Sequence, residues 1–325
     1  MDTLWLGDRE VRQLLSMGEA LDAVEEAFRQ HALGKVQMPP KLYLTFHKHG
    51  GDLRAMPAYL EEMDAAGVKI VNAHPSNPSR GLPTVMAVLV LNDPATGAPQ
   101  AIMDATYLTD MRTGAAGGVA SKHLARKDSR VLGIIGAGRQ ARTQLLAITE
   151  VMDIEMVKVA SRSMDDAARF IDAMGPRVDV EMEACTVRDA CNCDVLSTTT
   201  PVRKPVVREE WIREGTHINA IGADAEGKQE LDPGILKKAR IFVDDMAQAT
   251  HSGEVNVPLA RGLLSLDDID GEIGEVIAGV INGRTDEREI TIFDSTGLAI
   301  QDVATGLVVY NKAVKEGVGR KLTLF

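Results

Sequence analysis

An apolar stretch at residues 131–135 (VLGII) runs directly into Gly136-Ala-Gly-Arg-Gln-Ala141, and the residues from Gln140 onward (QARTQLLAITEV) have helical character. This junction constrains the fold more than any other feature. Gly136 permits a tight strand-to-helix turn, Gly138 lets backbone approach a pyrophosphate, and Ala141 lets the helix pack closely on a sheet. The diphosphate would then sit at a helix N-terminus, where unpaired N–H groups and the helix dipole favour negative charge. The surrounding chain has the matching grammar. Short apolar segments at 131–135, 156–160, 194–198, 217–221, 241–244 and 290–294 alternate with helical stretches. That alternation predicts an α/β Rossmann domain with a doubly wound parallel sheet.

The end of the second of these strands bears on cofactor choice. A carboxylate there usually bonds the ribose 2′-hydroxyl of NAD. This chain reads Ser161-Arg162-Ser163, with no carboxylate before Asp165. An arginine flanked by two hydroxyls suits a 2′-phosphate through charge-assisted hydrogen bonds, which predicts NADP preferred over NAD.

The first third of the chain differs. Residues 9–33 carry apolar positions at helical spacing and predict one helix stopped near Gly34, followed by strands at 41–46, 67–72, 83–92 and 98–104. A linking helix is expected over 108–126 and a terminal helix over 299–315. The expected division is 1–118 with 300–325 as an α+β substrate-binding and dimerisation domain, completed by the C-terminal helix, and 119–299 as the Rossmann dinucleotide-binding domain.

Composition narrows the function classes. The net charge of −11 argues against bulk nucleic-acid binding. No apolar run approaches the roughly 20 residues of a membrane span, and the N-terminus lacks the pattern of a secretory signal, so a cytoplasmic enzyme is expected. Cys185, Cys191 and Cys193 are odd in number and clustered, which reads as free thiols. No metal site is expected; His47 and His49 read as solvated.

Charged residues in apolar settings are the candidates for chemistry. Lys69 lies in Ala-Gly-Val-Lys-Ile-Val-Asn, where burial is costly unless its charge is used or its pKa falls. Lys41 follows Met-Pro-Pro, Arg54 precedes Ala-Met-Pro, and Asp224 follows the segment HINAIG near the carboxyl edge of the expected sheet.

With these residues the chain resembles the ornithine cyclodeaminase/mu-crystallin family, closest to its archaeal-type alanine dehydrogenases. The resemblance runs through Gln37-Met-Pro-Pro-Lys41, Asp52-Leu-Arg-Ala-Met-Pro57, Lys69-Ile-Val-Asn-Ala-His-Pro75, Arg112-Thr-Gly-Ala-Ala116, His217-Ile-Asn-Ala-Ile-Gly-Ala-Asp224, Gly227-Lys-Gln-Glu-Leu231 and Phe293-Asp-Ser-Thr-Gly-Leu-Ala-Ile-Gln-Asp302. It implies a homodimer built through the N-terminal domain. It further implies Lys69 as proton donor and acceptor, Asp224 beside the substrate amine, and Lys41, Arg54 and Arg112 on the substrate carboxylate. The implied cofactor stations are Arg112, Thr113, Gly136, Gly138, Arg139, Gln140, Ser161, Arg162, Ser163, Gly222, Ala223, Asp224, Lys228 and Gly297. Cyclodeaminases carry a carboxylate where this chain has Arg54, a cation that would repel the second ammonium of ornithine. The resulting expectation is an NAD(P)-dependent amino-acid dehydrogenase interconverting L-alanine with pyruvate and ammonia. The alternatives are a pyrroline-2-carboxylate-type cyclic ketimine reductase, a cyclodeaminase, or a non-catalytic binding protein.

Overall fold

The computed structural model describes residues 2–323. By internal contacts the chain divides into two compact units, Met1–Arg112 with Leu298–Phe325 and Thr113–Gly297. The sequence reading put the boundaries at 118/119 and 299/300.

The first unit is a mixed sheet with helices on one face. Its strands are β1 (Asp2–Leu6), β2 (Val36–Gln37), β3 (Leu42–Phe46), β4 (Gly51–Leu60), β5 (Ala65–Ala73), β6 (Val85–Asn92), β7 (Pro99–Asp104) and β16 (Arg320–Thr323). They run in the order β16-β1-β7-β6-β5-β4-β2, with β3 also on β4. Among the described residues of this unit, only β1 and β7 pair in parallel. The single helix expected over 9–33 is a correction: the chain forms α1 (Asp8–Leu14) and α2 (Met17–Ala32). Ser16 breaks the run because its side chain caps the Glu19 N–H while the Glu19 carboxylate accepts from the Ser16 N–H at 3.0 Å. The apolar period passes through this break.

Strand register sorts the side chains of the sheet. Met56 on β4, Lys69 on β5 and Leu89 on β6 stand opposite one another, with Met103 on β7 next in the row. All four are buried. The C-terminal helix (Ala299–Glu316) packs against α2, β4, β5 and β6. It is tied to α2 by Lys312 Nζ on Glu19 Oε1 at 2.8 Å. The neighbouring row on the sheet, Leu42–Ala55–Ile70–Val88, points to the other face by the two-residue strand period. Leu42, Ile70 and Val88 of that row are exposed, as are Leu44 and Met86 beside it.

The second unit is an eight-stranded, all-parallel sheet. Its strands are β8 (Val131–Ile135), β9 (Met156–Ala160), β10 (Glu181–Ala184), β11 (Val195–Thr198), β12 (His217–Ala220), β13 (Ala239–Val243), β14 (Gly271–Glu272) and β15 (Ile290–Asp294). Their order is β10-β9-β8-β11-β12-β15-β13-β14. The central strands β11 and β12 are buried on both faces, whereas the edge strand β10 has exposed residues. Leu132 and Ile134 of β8 join Val157 and Val159 of β9 in one apolar cluster, while Ile135 and Ala160 belong to a second. Chain order reverses at β8, which has β9 on one side and β11 on the other. Open parallel sheets bind ligands at the carboxyl ends of the strands flanking such a reversal.

Helix α3 (Thr106–Leu124) carries Arg112 and Thr113, the residues on either side of the division. In the second unit α4 (Arg139–Val151) follows β8 and α5 (Met164–Met174) follows β9. No helix among the described residues is long and apolar enough to cross a membrane.

Candidate functional site

In the first unit the chemistry gathers on the helix-covered face of the sheet. Lys69 is buried, and its Nζ lies 2.6 Å from Asp302 Oδ2 in the C-terminal helix. The other oxygen, Asp302 Oδ1, accepts from Arg112 Nε at 3.0 Å. Arg112 Nη1 donates to Gln301 Oε1 at 2.9 Å, and the same oxygen accepts from the Leu298 N–H at 3.0 Å. One buried carboxylate is therefore shared by two cations. Burial pushes Lys69 down to about 7, with the Arg112 and Lys41 charges acting in the same direction and Asp302 opposing them.

Arg54 also points to this face, one strand pair along from Lys69. Its guanidinium holds Asp52 with Nε on Oδ1 and Nη2 on Oδ2, both at 3.1 Å, and lies over the Tyr43 ring at 5.4 Å. Lys41 sits just before β3, half-buried. Arg112 and Lys41 act on Lys69 through their positive charge, and Arg54 stands on the same sheet face.

In the second unit a cavity of about 780 Å³ opens at the chain-order reversal. Its lining includes Gly136, Gly138, Ser161, Arg162 and the segment Thr199-Thr200-Pro201-Val202. Gly136 has φ +112°, and a Cβ there would stand 2.4 Å from Thr199 Oγ1, so only glycine fits this turn. Gly138 precedes α4 with no side-chain cap, and nothing lies within 4 Å of where its Cβ would be. Open space beside Gly138 lets a ligand approach the backbone closely at the start of α4, where the helix dipole favours negative charge.

Charge at the far end of this cavity is mixed. Arg142, Arg162 and Arg169 line it together with Asp166. Ser163 caps α5 by accepting from the Asp166 N–H at 3.1 Å, and its hydroxyl bonds Asp166 Oδ2 at 2.9 Å. The Ser163 hydroxyl, then Arg169 and Arg162, hold the Asp166 carboxyl below its ordinary range, against the opposing effect of burial.

The profile of the ornithine cyclodeaminase/mu-crystallin family matches residues 1–317. The chain belongs to this family. It is 57% identical over 325 residues to the alanine dehydrogenase of Archaeoglobus fulgidus, covering 100% of this chain and 99% of that protein. An archaeal alanine dehydrogenase dimer solved with bound NAD superposes with a TM-score of 0.97 at 57% identity, with full coverage of both chains. The Δ1-pyrroline-2-carboxylate reductase of Thermococcus litoralis, solved with NADH and L-proline, has a TM-score of 0.95 at 42% identity over 98% of this chain and 100% of that one.

The structure brings together many of the residues singled out in the sequence. Lys69, Arg112 and Asp302 form one buried cluster, with Lys41 close enough to act on Lys69 through its charge. Gly136, Gly138, Ser161 and Arg162 line one cavity. Arg139 is exposed and opens α4 with Gln140. Thr113 is buried and its carbonyl accepts from Gln144 Nε2 at 2.9 Å. Asp224 pairs with Lys228, beyond Gly222 and the buried Ala223. Gly297 donates its N–H to Asp244 Oδ2 at 2.7 Å. Sequence reasoning missed Asp302 as the counter-ion of Lys69, and it missed Asp166 in the cavity. A carboxylate in the first turn of a helix reads as ordinary helix chemistry, so nothing in its local pattern distinguishes Asp302.

Replacing Asp302 with alanine leaves two cations buried without their shared anion, and removal of one partner from such a cluster costs about 3–5 kcal/mol. Burial already lowers the folded-state pKa of Lys69, and Asp302 raises it. Its loss therefore lowers that pKa further, and the added cost grows as pH falls below about 7. Chemical denaturation of Asp302→Ala should show a larger loss at pH 6 than at pH 9. Equal losses at both pH values would contradict the Lys69 pairing.

Proposed function

We propose that this chain is an NAD(P)-dependent oxidoreductase acting on CH–NH2 groups, catalysing the reversible oxidative deamination of L-alanine to pyruvate and ammonia. The observation that carries this reading is a buried lysine with a pKa near neutrality, set among cations suited to one carboxylate. The 57% identity to an alanine dehydrogenase along the whole chain supports it.

The cavity of the second unit fits a nicotinamide dinucleotide. Gly136, Gly138 and the start of α4 suit the pyrophosphate, and Ser161 and Arg162 suit the adenosine ribose. When bound, the nicotinamide accepts or delivers the hydride. The residues of this chain do the rest. Lys41, Arg54 and Arg112 hold the substrate carboxylate. In the oxidative direction neutral Lys69 takes a proton from the water that adds to the substrate iminium, and returns one to the departing ammonia. Asp302 keeps the Lys69 amine in place and offsets its charge when it is protonated. Asp224 offsets the positive charge of the substrate amine, with Lys228 holding the carboxylate.

The arginines of the cavity favour an anionic 2′-substituent. Asp166 is engaged by Ser163 and Arg169, so the positive charge of Arg162 and Arg142 is only partly offset. We therefore read the site as preferring NADP, although the similar solved proteins carry NAD or NADH.

A second reading is reduction of preformed cyclic imines, favoured by the likeness to the pyrroline-2-carboxylate reductase. That reaction needs one proton at the imine nitrogen, which Lys69 could supply, and no ammonia. Following NADH and NADPH oxidation with pyruvate separates the two. Ammonium-dependent oxidation, faster with NADPH, is the expected result. NAD(P)H oxidation with pyrroline-2-carboxylate but not with pyruvate plus ammonium would favour the imine reductase, and a faster NADH rate would overturn the nucleotide preference.

The open sheet face bearing Leu42, Leu44, Ile70, Met86 and Val88 is proposed as the surface that a second copy covers. A contiguous apolar patch of this kind marks an association site. Sedimentation equilibrium should give twice the 35.0 kDa chain mass, and changing Val88 to glutamate should lower it. A monomer for the unmodified protein at micromolar concentration would refute the proposal.

A further inference from the structure

The wall of the nucleotide cavity formed by Thr199-Thr200-Pro201-Val202 has no regular secondary structure, so something else must fix its position. On one side Thr199 donates twice to the Ile135 carbonyl, from its N–H at 2.9 Å and its hydroxyl at 3.1 Å. On the other side stands Glu230, which is buried and outside the cavity lining. Its Oε1 accepts from the Thr200 N–H and the Thr200 hydroxyl, both at 2.6 Å. Its Oε2 accepts from the Gly222 N–H and the Thr198 hydroxyl, both at 2.8 Å. One carboxylate thus clasps the loop after β11 to the loop after β12. Gly222 is part of the same clasp: a Cβ there would lie 2.2 Å from the Thr200 carbonyl oxygen and 2.5 Å from Glu230 Oε2.

Glu230 is itself held in series. Glu254 accepts from the Glu230 N–H at 2.9 Å and the Leu231 N–H at 2.7 Å. Asp294, the last residue of β15, accepts from the Glu254 N–H at 2.8 Å and the Val255 N–H at 3.1 Å. All three acids are buried. Each carboxylate fixes the backbone that carries the next, so position is passed from a strand end to the cavity wall. Keeping acids this deep is costly, and burial pushes Glu230 up while its hydroxyl and N–H donors pull it back.

We infer that Glu230 is a positioning residue for the nicotinamide dinucleotide, acting through Thr200 and Gly222 to set the gap between the Thr199–Val202 wall and the Gly136–Gly138 turn. This rests on the reading of that cavity as the dinucleotide site. The chemical demand is specific to a carboxylate. Two rigid N–H groups, one on each oxygen, need two acceptors. A glutamine offers one acceptor and one NH2 group, so either the Thr200 or the Gly222 N–H loses its partner whichever way the amide turns.

The test is Glu230→Gln in the full-length protein, with NADPH and NADH titrated by fluorescence and KM values taken for cofactor and 2-oxo acid. Losing one clasp to a buried N–H should raise cofactor Kd and KM roughly tenfold. The 2-oxo acid KM and kcat at saturating cofactor should stay within about twofold. Thr198→Val removes one bond to Oε2 without touching the cavity lining, and should raise cofactor Kd about threefold. It decides the matter alone if Glu230→Gln does not fold. Unchanged cofactor Kd in folded variants would overturn the inference. So would a lowered Tm and kcat with unchanged cofactor KM, which marks a purely structural role. Unmodified protein that binds neither NADH nor NADPH would instead sink the cavity assignment.

Discussion

A lysine ammonium buried in a sheet must find an anion or lose its proton, and much of the first unit is organised around Lys69. β5 delivers it to the helix-covered face between Met56 and Leu89, where water cannot solvate it. The C-terminal helix answers with Asp302, and α3 adds Arg112 to the other carboxylate oxygen. The competition between burial, a neighbouring arginine and one shared anion brings the lysine down to about 7. A stronger counter-ion would lock the proton on; an apolar site would strip it off. The pairing on which the proposed proton exchange rests is a consequence of how the C-terminal segment returns to the sheet.

The second unit applies the same physics with the opposite sign. Its loops at the carboxyl ends of the strands must hold a definite shape without regular hydrogen bonding. Buried carboxylates do this by accepting from backbone N–H groups, as Asp244 does for Thr296 and Gly297 and Asp294 for Glu254 and Val255. Each satisfies donors that would otherwise be stranded. The glycines at 136 and 222 allow the loops to approach until backbone touches backbone.

What was legible in the sequence was local. Gly136, Gly138 and Ala141 announce the strand-turn-helix junction because turn chemistry and helix packing act over a few residues. The parallel strands of the second unit are short apolar runs for the same reason. The break at Ser16 was hidden because apolar spacing continues across it, and only the reciprocal bonds of Ser16 and Glu19 reveal the cap. β4 escaped detection because Asp52, Arg54 and Pro57 interrupt any alternation, although its register places Arg54 on the Lys69 face. Lys69 was found because a charge in an apolar strand is conspicuous. Asp302 was not, since its role depends on a partner brought close only by the fold. Glu230 lies within Gly227-Lys-Gln-Glu-Leu231, a polar stretch that gives no sign of which member is buried.

The proposed chemistry depends on the proton held by Lys69, and the pH dependence of kcat/KM for alanine oxidation reads it directly. In the proposed mechanism neutral Lys69 is the active form in this direction, so the rate should rise as Lys69 titrates, with an apparent pKa of about 7. Asp302 holds that pKa up, so Asp302→Asn should move this limb to lower pH while the ionisation of free alanine stays where it is. A limb that keeps its position in Asp302→Asn, or a profile with no ionisation between pH 6 and 8, would contradict Lys69 as the proton-exchanging group.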